Sequence, residues 1–287
     1  MFKYILYKIG LFLLHHLPPK LAYKLATFIS DLQYLFSFRD RRAVKKNLKR
    51  ILPLSNNISF LARDVFRNFG RYLIEFFQMK EMVDAQFIKN NVQTKGLDHL
   101  DNVLAEGKGG IIVTAHIGNW ELGAVLLSVM GYPLMAIALP HKERPVNDLF
   151  NDQRETKGVT VVPTNSALRC CIEQLRNNKF VALVADRDFH HGGIIMDFLG
   201  HKMLAPKGAA MFSWKTGAPI LPIFLIRNGD KKFILSCSEP IYPPKRNVSE
   251  AGDDIILGIM RRYMSVIEEK IRAHPSQWLL FREFSVQ

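Results

Sequence analysis

Residues 110–127 read Gly-Ile-Ile-Val-Thr-Ala, then His-Ile-Gly-Asn-Trp-Glu, then Leu-Gly-Ala-Val-Leu-Leu. A β-branched apolar run opened by glycine, a turn containing Gly118 and Asn119, and an apolar stretch behind it specify a buried strand, a sharp turn and a helix. Parallel-sheet proteins keep their chemistry at the lip where such a strand ends. His116 and Glu121 stand at that lip.

Their spacing carries a geometric constraint. On a continuous helix, five positions advance roughly 500°, leaving the two side chains about 140° apart around the axis. One of them must therefore lie outside the helix. With His116 in the turn and Glu121 in the first helical turn, the carboxylate is expected to accept from one imidazole nitrogen. It would then fix the tautomer and stabilise the imidazolium formed when His116 takes a proton. Taken alone, the pair is equally compatible with a helix-capping histidine and a solvated glutamate.

The rest of the chain alternates in the same way. Helical patterns run over residues 58–77, 146–155, 166–177, 205–216 and 253–273, with a cap expected at Asn165 or Ser166. Strand patterns run over residues 134–139, 159–162, 180–185 and 220–225, the last with a hairpin partner over 232–236. This order predicts an α/β fold, a mixed, largely parallel sheet flanked by helices. With 287 residues and 48% hydrophobic content, the chain is long enough for one large domain with an added segment. The expected division is residues 1–50 as an N-terminal segment and residues 51–287 as the α/β domain.

Charge sets the N-terminal segment apart. Nine of the thirteen net positive charges fall in residues 1–50, with Arg39, Arg41, Arg42, Lys45, Lys46, Lys49 and Arg50 close together. Ahead of them, Met1 to Leu17 and Leu21 to Phe38 are strongly apolar and separated by Pro18-Pro19. A spanning helix wants about 20 mainly apolar residues, and Lys3, Lys8 and the double proline interrupt the first stretch. An interfacial helix pair fits better, with the basic cluster meeting anionic head groups of the inner membrane on its cytoplasmic side. A cleaved signal peptide fits less well, because no small-residue cleavage site follows the apolar stretch. Core helices of a soluble protein, or a nucleic-acid patch, would also account for the charge.

Several chemistries are set aside by the residues. There is no G-x-S-x-G nucleophile elbow, and Gly107-Lys108-Gly109-Gly110 lacks the spacing of a phosphate loop. Adjacent His190 and His191 rarely share one ion and have no ligand partner at metal spacing, so no metal is expected. Cys170, Cys171 and Cys237 form neither a disulfide framework nor a metal pair and read as buried small hydrophobes. Ala185-Asp186-Arg187-Asp188 ends a buried strand in three charges, and charges at a strand end belong in a cleft.

HIGNWE after its strand, Arg144 and Arg154 in ERPVNDLFNDQRETKG, ADRD followed by MDFLG, APKGAAMFSWKTGAPILP and the tail HPSQWLLF occur in that order. Together they resemble the bacterial lipid A late acyltransferase family, which also includes phosphatidylinositol mannoside acyltransferases. The sequence departs from that pattern at Phe198-Leu199-Gly200, where the family has Phe-Phe-Gly, and at Leu280, where it has Trp.

The resemblance implies a membrane-bound acyltransferase that needs no cofactor. It moves a fatty acyl group from a thioester, on acyl carrier protein or coenzyme A, to a hydroxyl of a glycolipid such as a lipid A precursor. Its place would be the cytoplasmic face of the cell inner membrane. His116 would be the general base and Glu121 its orienting partner. Asn119 would donate to a substrate oxygen or cap the helix. Arg144, Arg154 or Arg187 would hold an acceptor phosphate or the donor phosphopantetheine. Asp186 and Asp188 read as partners of these arginines, or as a buried ion pair closing the sheet. Phe76, Phe77, Trp120 and Leu122 are candidates for an acyl groove, though each also fits a core.

Two other readings stand beside it. One keeps the chemistry and changes the acceptor to a lysophospholipid, a phosphatidylinositol mannoside or an ornithine-type lipid. The other is a non-enzymatic protein that binds anionic membranes or nucleic acid through residues 39–50. The order of the charged strand ends argues against the latter, and nucleic acid is not an expected partner.

Overall fold

The computed structural model describes residues 2–188, 192–245 and 252–286. His190 and His191 lie outside these residues. The chain opens with α1 (Phe2–His16), α2 (Pro19–Phe36), α3 (Phe38–Ile51) and the long α4 (Ile58–Met82). Then come α5 (Ala85–Asn91), β1 (Val92–Lys95), α6 (Asp98–Ala105), β2 (Gly110–Thr114), α7 (Trp120–Val129) and β3 (Leu134–Ala138). They are followed by α8 (Arg144–Glu155), β4 (Thr160–Pro163), α9 (Ala167–Arg176) and β5 (Phe180–Val184). A hairpin of β6 (Ile194–Phe198) and β7 (His201–Ala205) precedes α10 (Gly208–Thr216), β8 (Ile220–Arg227), β9 (Phe233–Cys237) and α11 (Gly252–Ala273).

Seven strands form one sheet in the order β1-β9-β8-β2-β5-β3-β4. β8, β2, β5, β3 and β4 run parallel, while β9 pairs antiparallel with β8 and carries β1 parallel to itself. The expected mixed, largely parallel sheet is present. β2 sits at its centre because its residues can be buried on both faces. Ile111 and Val113 face the core built with α9, α10 and α11, and Ile112 faces the core built with α4, α7 and α8. That alternation is the two-residue period of a strand.

Several elements differ from the sequence patterns. β1 carries no apolar run, the β6–β7 hairpin carries only three-residue ones, and α10 starts at Gly208 because Ala205 is still paired with Ile194 and Pro206 follows it. The helix expected to end at residue 77 runs on to Met82. Buried residues of α4 recur at helical spacing, from Ile58, Ala62 and Val65 to Tyr72, Phe76 and Met79.

Pro18 and Pro19 end α1 and start α2, with Pro19 at the first helical position, where its missing N–H costs nothing. α2 lies on α4 through small residues. A Cβ on Gly70 would collide with the Ser30 hydroxyl, so only glycine allows this approach. Asp31 on α2 accepts bidentate pairs from Arg63 and Arg67 on α4, and these hydrogen bonds hold its carboxyl well below the usual range.

The opposite faces of α1 and α2 are apolar and uncovered. Ile5, Leu6, Ile9, Phe12 and Leu13 on α1 and Leu21, Phe28, Ile29, Leu32, Leu35 and Phe36 on α2 are exposed, Phe12 to 62% and Phe36 to 72%. Among the described residues no helix is long and apolar enough to cross a membrane.

Candidate active site

β2 and β5 are parallel neighbours, with Thr114 opposite Val184 and the Ala185 N–H donating to the Thr114 carbonyl at 2.8 Å. The residues that leave the two strands are therefore brought side by side. His116 Nδ1 lies 2.7 Å from Asp186 Oδ1, and the His116 backbone N–H donates to Asp186 Oδ2 at 3.1 Å. Trp278, from the C-terminal segment, donates its indole N–H to the same Oδ2 at 2.8 Å. Burial alone would push the Asp186 carboxyl up. The charge of His116 and the hydrogen bonds from His116 and Trp278 outweigh it and hold the carboxyl below its ordinary value.

An ionised Asp186 accepts only, so in the neutral imidazole Nδ1 carries the hydrogen and Nε2 has a free lone pair. The imidazole meets the edge of Trp120 at a centroid distance of 4.9 Å, and its side chain keeps 15% exposure. A histidine held in one tautomer by a buried carboxylate, with no protein partner on its far nitrogen among the described residues, has the geometry of a general base.

The turn is fixed from several sides. Gly118 has φ of 62° and its N–H donates to the Gln277 carbonyl at 2.9 Å. A side chain there would strike the Leu225 carbonyl, so the position requires glycine on both counts. Asn119 N–H donates to that Leu225 carbonyl at 3.0 Å, and Leu279 N–H donates to the His116 carbonyl at 2.7 Å.

The expected partnership of Glu121 with His116 is not what the fold makes. Glu121, the second residue of α7, turns to the other side and forms a bidentate pair with Arg154 of α8, both contacts at 2.7 Å. The guanidinium also packs over the Phe76 ring. Burial works against the Arg154 charge, but Glu121 more than compensates and its pKa is raised. The role read for Glu121 falls geometrically to Asp186, so Asp186 is not primarily a partner of the arginines.

Asn119 is 1% exposed, and both ends of its side chain are engaged. Oδ1 caps α7 by accepting from Leu122 N–H at 3.1 Å, and Nδ2 donates to Glu75 Oε2 at 2.8 Å. The helix-cap use is realised, and one of the two Nδ2 hydrogens is bound to Glu75 in a side chain that is buried. Arg144 stands at the start of α8 with its side chain 93% exposed, near Asp148. Ten residues of helix put it about 15 Å from Arg154 along the axis. Arg187 follows Asp186 directly, and its pKa is lowered by burial and then by Arg282 nearby. Asp188 Oδ2 accepts from Gly193 N–H at 2.6 Å, tying the chain after β5 to the start of the hairpin. Phe76, Phe77 and Leu122 are core, whereas Trp120 is half-buried and stacks on Tyr72 at 4.6 Å.

Two contributors carried no expected role. Trp278 lay within the tail block, but nothing local links it to a carboxylate 92 positions earlier. Glu75 is fully buried in Leu73-Ile74-Glu75-Phe76-Phe77, and an acid inside such a run is the signal that marks it. It pairs with Arg227, accepts from Tyr23 Oη at 3.0 Å, and so links α2, α4 and β8 to the turn through Asn119.

The family model described as bacterial lipid A biosynthesis acyltransferase matches residues 1–284. The chain is 29% identical to a phosphatidylinositol mannoside acyltransferase of Mycobacterium tuberculosis over 267 residues, covering 91% of this chain and 81% of that protein. A Mycolicibacterium smegmatis protein of the same name is 26% identical, over 82% of this chain and 76% of its own length. A lipid A biosynthesis palmitoleoyltransferase of Escherichia coli is 24% identical, over 94% and 87%. A match running from the first helix through the tail that carries Trp278 takes in every element of the site, and the chain is an acyltransferase belonging to the bacterial lipid A biosynthesis acyltransferase family.

Proposed function

We propose that the protein transfers a fatty acyl group from a thioester, carried by acyl carrier protein or coenzyme A, to a hydroxyl of a glycolipid at the membrane surface, with His116 as general base. The observation that carries this reading is the open Nε2 of a histidine whose Nδ1 is bound to buried Asp186 at 2.7 Å. Nε2 removes the proton as the acceptor oxygen attacks the thioester carbonyl carbon. The tetrahedral intermediate collapses, the C–S bond breaks, and the imidazolium returns the proton to the departing sulfur. The acyl group passes directly between substrates, since no Ser or Cys adjoins His116 in the turn. Asp186 holds the tautomer and stabilises the imidazolium.

The exposed apolar faces of α1 and α2 support an interfacial location. Continuous apolar surface of this kind marks a membrane or protein contact. Lifting an acylated lipid out of the bilayer costs about 0.8 kcal/mol per exposed methylene, so the site works best where the acceptor already lies. The basic face of α3 beside it suits anionic inner-membrane lipids on the cytoplasmic side.

A lipid A precursor is the first acceptor to test, given the family. The higher identity to mycobacterial relatives named for phosphatidylinositol mannoside supports that glycolipid as the second. The deciding experiment incubates the purified protein and His116→Ala with an acyl thioester and each lipid, reading products by mass spectrometry. Wild-type transfer with at least a thousandfold loss in the folded variant is expected. Retained activity in His116→Ala overturns the assignment.

A further inference from the structure

A cleft of about 920 Å³ opens between α3 and the segment after Trp278. Phe38, Arg39 and Arg42 line one wall, and Phe281 and Arg282 the other. Its acids are already occupied. Asp40 accepts from the Ser37 hydroxyl at 2.7 Å, and Glu283 takes both Lys46 and Arg50. The Arg39, Arg42 and Arg282 side chains have no hydrogen-bond or ion-pair partner among the described residues. The three guanidinia around this concavity outnumber Asp40, whose charge the neutral Ser37 hydroxyl does not cancel, so they repel one another, and an anion placed between them lowers that cost.

We propose that this cleft binds the phosphate of the acyl donor, the group at the far end of its pantetheine arm. The inference rests on the acyl-thioester reading above and adds where the donor is held. Arginine presents planar paired donors that match phosphate oxygens, and all three free cations are arginines.

Position agrees with chemistry. Leu279 N–H is bonded to the His116 carbonyl at 2.7 Å, and Arg282 follows three residues later. At up to about 3.5 Å per residue, its Cα lies within about 10 Å of Leu279. Arg187, next to Asp186, lies in the electrostatic range of Arg282, so the positive field continues from the cleft toward the reacting pair. A pantetheine arm, roughly 15 Å from sulfur to phosphorus when extended at ordinary bond lengths, spans that interval. A phosphate seated among the arginines is thus close enough for the arm to bring the thioester to Nε2.

The test is equilibrium binding, which does not depend on turnover. Wild-type protein is expected to bind 4′-phosphopantetheine at least tenfold more tightly than pantetheine, which lacks only the phosphate. Arg42→Glu/Arg282→Glu is expected to lose that preference, and Arg42→Lys/Arg282→Lys to keep most of it, with circular dichroism reporting the fold of each. Binding to vesicles of phosphatidylcholine alone, which reads the apolar faces of α1 and α2, is expected to be the same for all three. Equal binding of the two compounds by wild type overturns the proposal. So does a charge-reversed variant that keeps its phosphopantetheine preference, since the arginines would then serve another anion, such as a lipid head group. Failure of the acyl-transfer reading is seen separately, in the His116→Ala assay.

Discussion

Replacing Asp186 by asparagine removes a charge while conserving shape, and the surrounding hydrogen bonds dictate which way the new amide faces. Oδ2 accepts from two buried donors, His116 N–H at 3.1 Å and Trp278 Nε1 at 2.8 Å. If the asparagine NH2 took that place, both donors would confront another donor, at about 1–3 kcal/mol for each one left unsatisfied. The amide oxygen is therefore pinned at the Oδ2 position, and the NH2 faces His116 Nδ1. Nδ1 must then accept, which moves the ring hydrogen to Nε2, the atom that has to receive the proton. This wrong-tautomer effect costs about 10⁴ in turnover in Ser-His-Asp enzymes, or roughly 5.5 kcal/mol of barrier. Asp186→Asn is expected to lose transfer on that scale under saturating substrates at neutral pH, with KM little changed and the fold retained by circular dichroism. A variant within tenfold of wild type refutes both the orienting role of Asp186 and the argument from its two donors.

Glu121→Gln leaves Arg154 buried without its counter-charge, at a cost on the order of 3 kcal/mol. It is expected to lower the melting temperature by several degrees while leaving the shape of the pH–rate profile unchanged. A displaced acid limb would return Glu121 to the partnership with His116 that the spacing first suggested. Burial pushes the thiols of Cys171 and Cys237 up to about 12, whereas Cys170 is half-buried at its site. Timed alkylation of native protein at pH 8 is expected to modify Cys170 first, and early labelling of Cys171 or Cys237 contradicts the packing.

Local chemistry made the site's position readable. The β-branched run, the glycine at 118 and the asparagine cap dictate a strand, a tight turn and a helix, and these appear as β2, the His116 turn and α7. What could not be read was strand order. Proximity in sequence favours Glu121, five residues away, whereas the sheet puts β5 beside β2 and delivers a carboxylate 70 positions later. Ala185-Asp186-Arg187-Asp188 already announced a cleft, but a sequence does not say which strand end it faces.

The β6–β7 hairpin escaped notice for another reason. Its apolar stretches, Ile194-Ile195-Met196 and Met203-Leu204-Ala205, are short and have the charged Asp197 and Lys202 between them, and its turn rests on Leu199 at φ 51° followed by Gly200. The exposed stripes on α1 and α2 were legible as hydrophobicity. Their direction was not, because α2 packs on α4 through its small-residue face, whereas α1 turns Tyr4, Tyr7 and Leu14 inward.

On the proposed mechanism, His116 and Asp186 stand just past the tips of two adjacent central strands, and their separation is set by backbone register. The surfaces that would choose a substrate belong to other parts: the N-terminal helices, the segment after β5 and the tail. A lineage can therefore rewrite what it recognises without disturbing the proton transfer, since loops and outer helices drift while a strand register slips only as a whole. Relatives at 24–29% identity that are named for different lipids are the pattern such a division of labour would leave. For engineering, a new acceptor should be sought at the rim, with the two strand tips left alone.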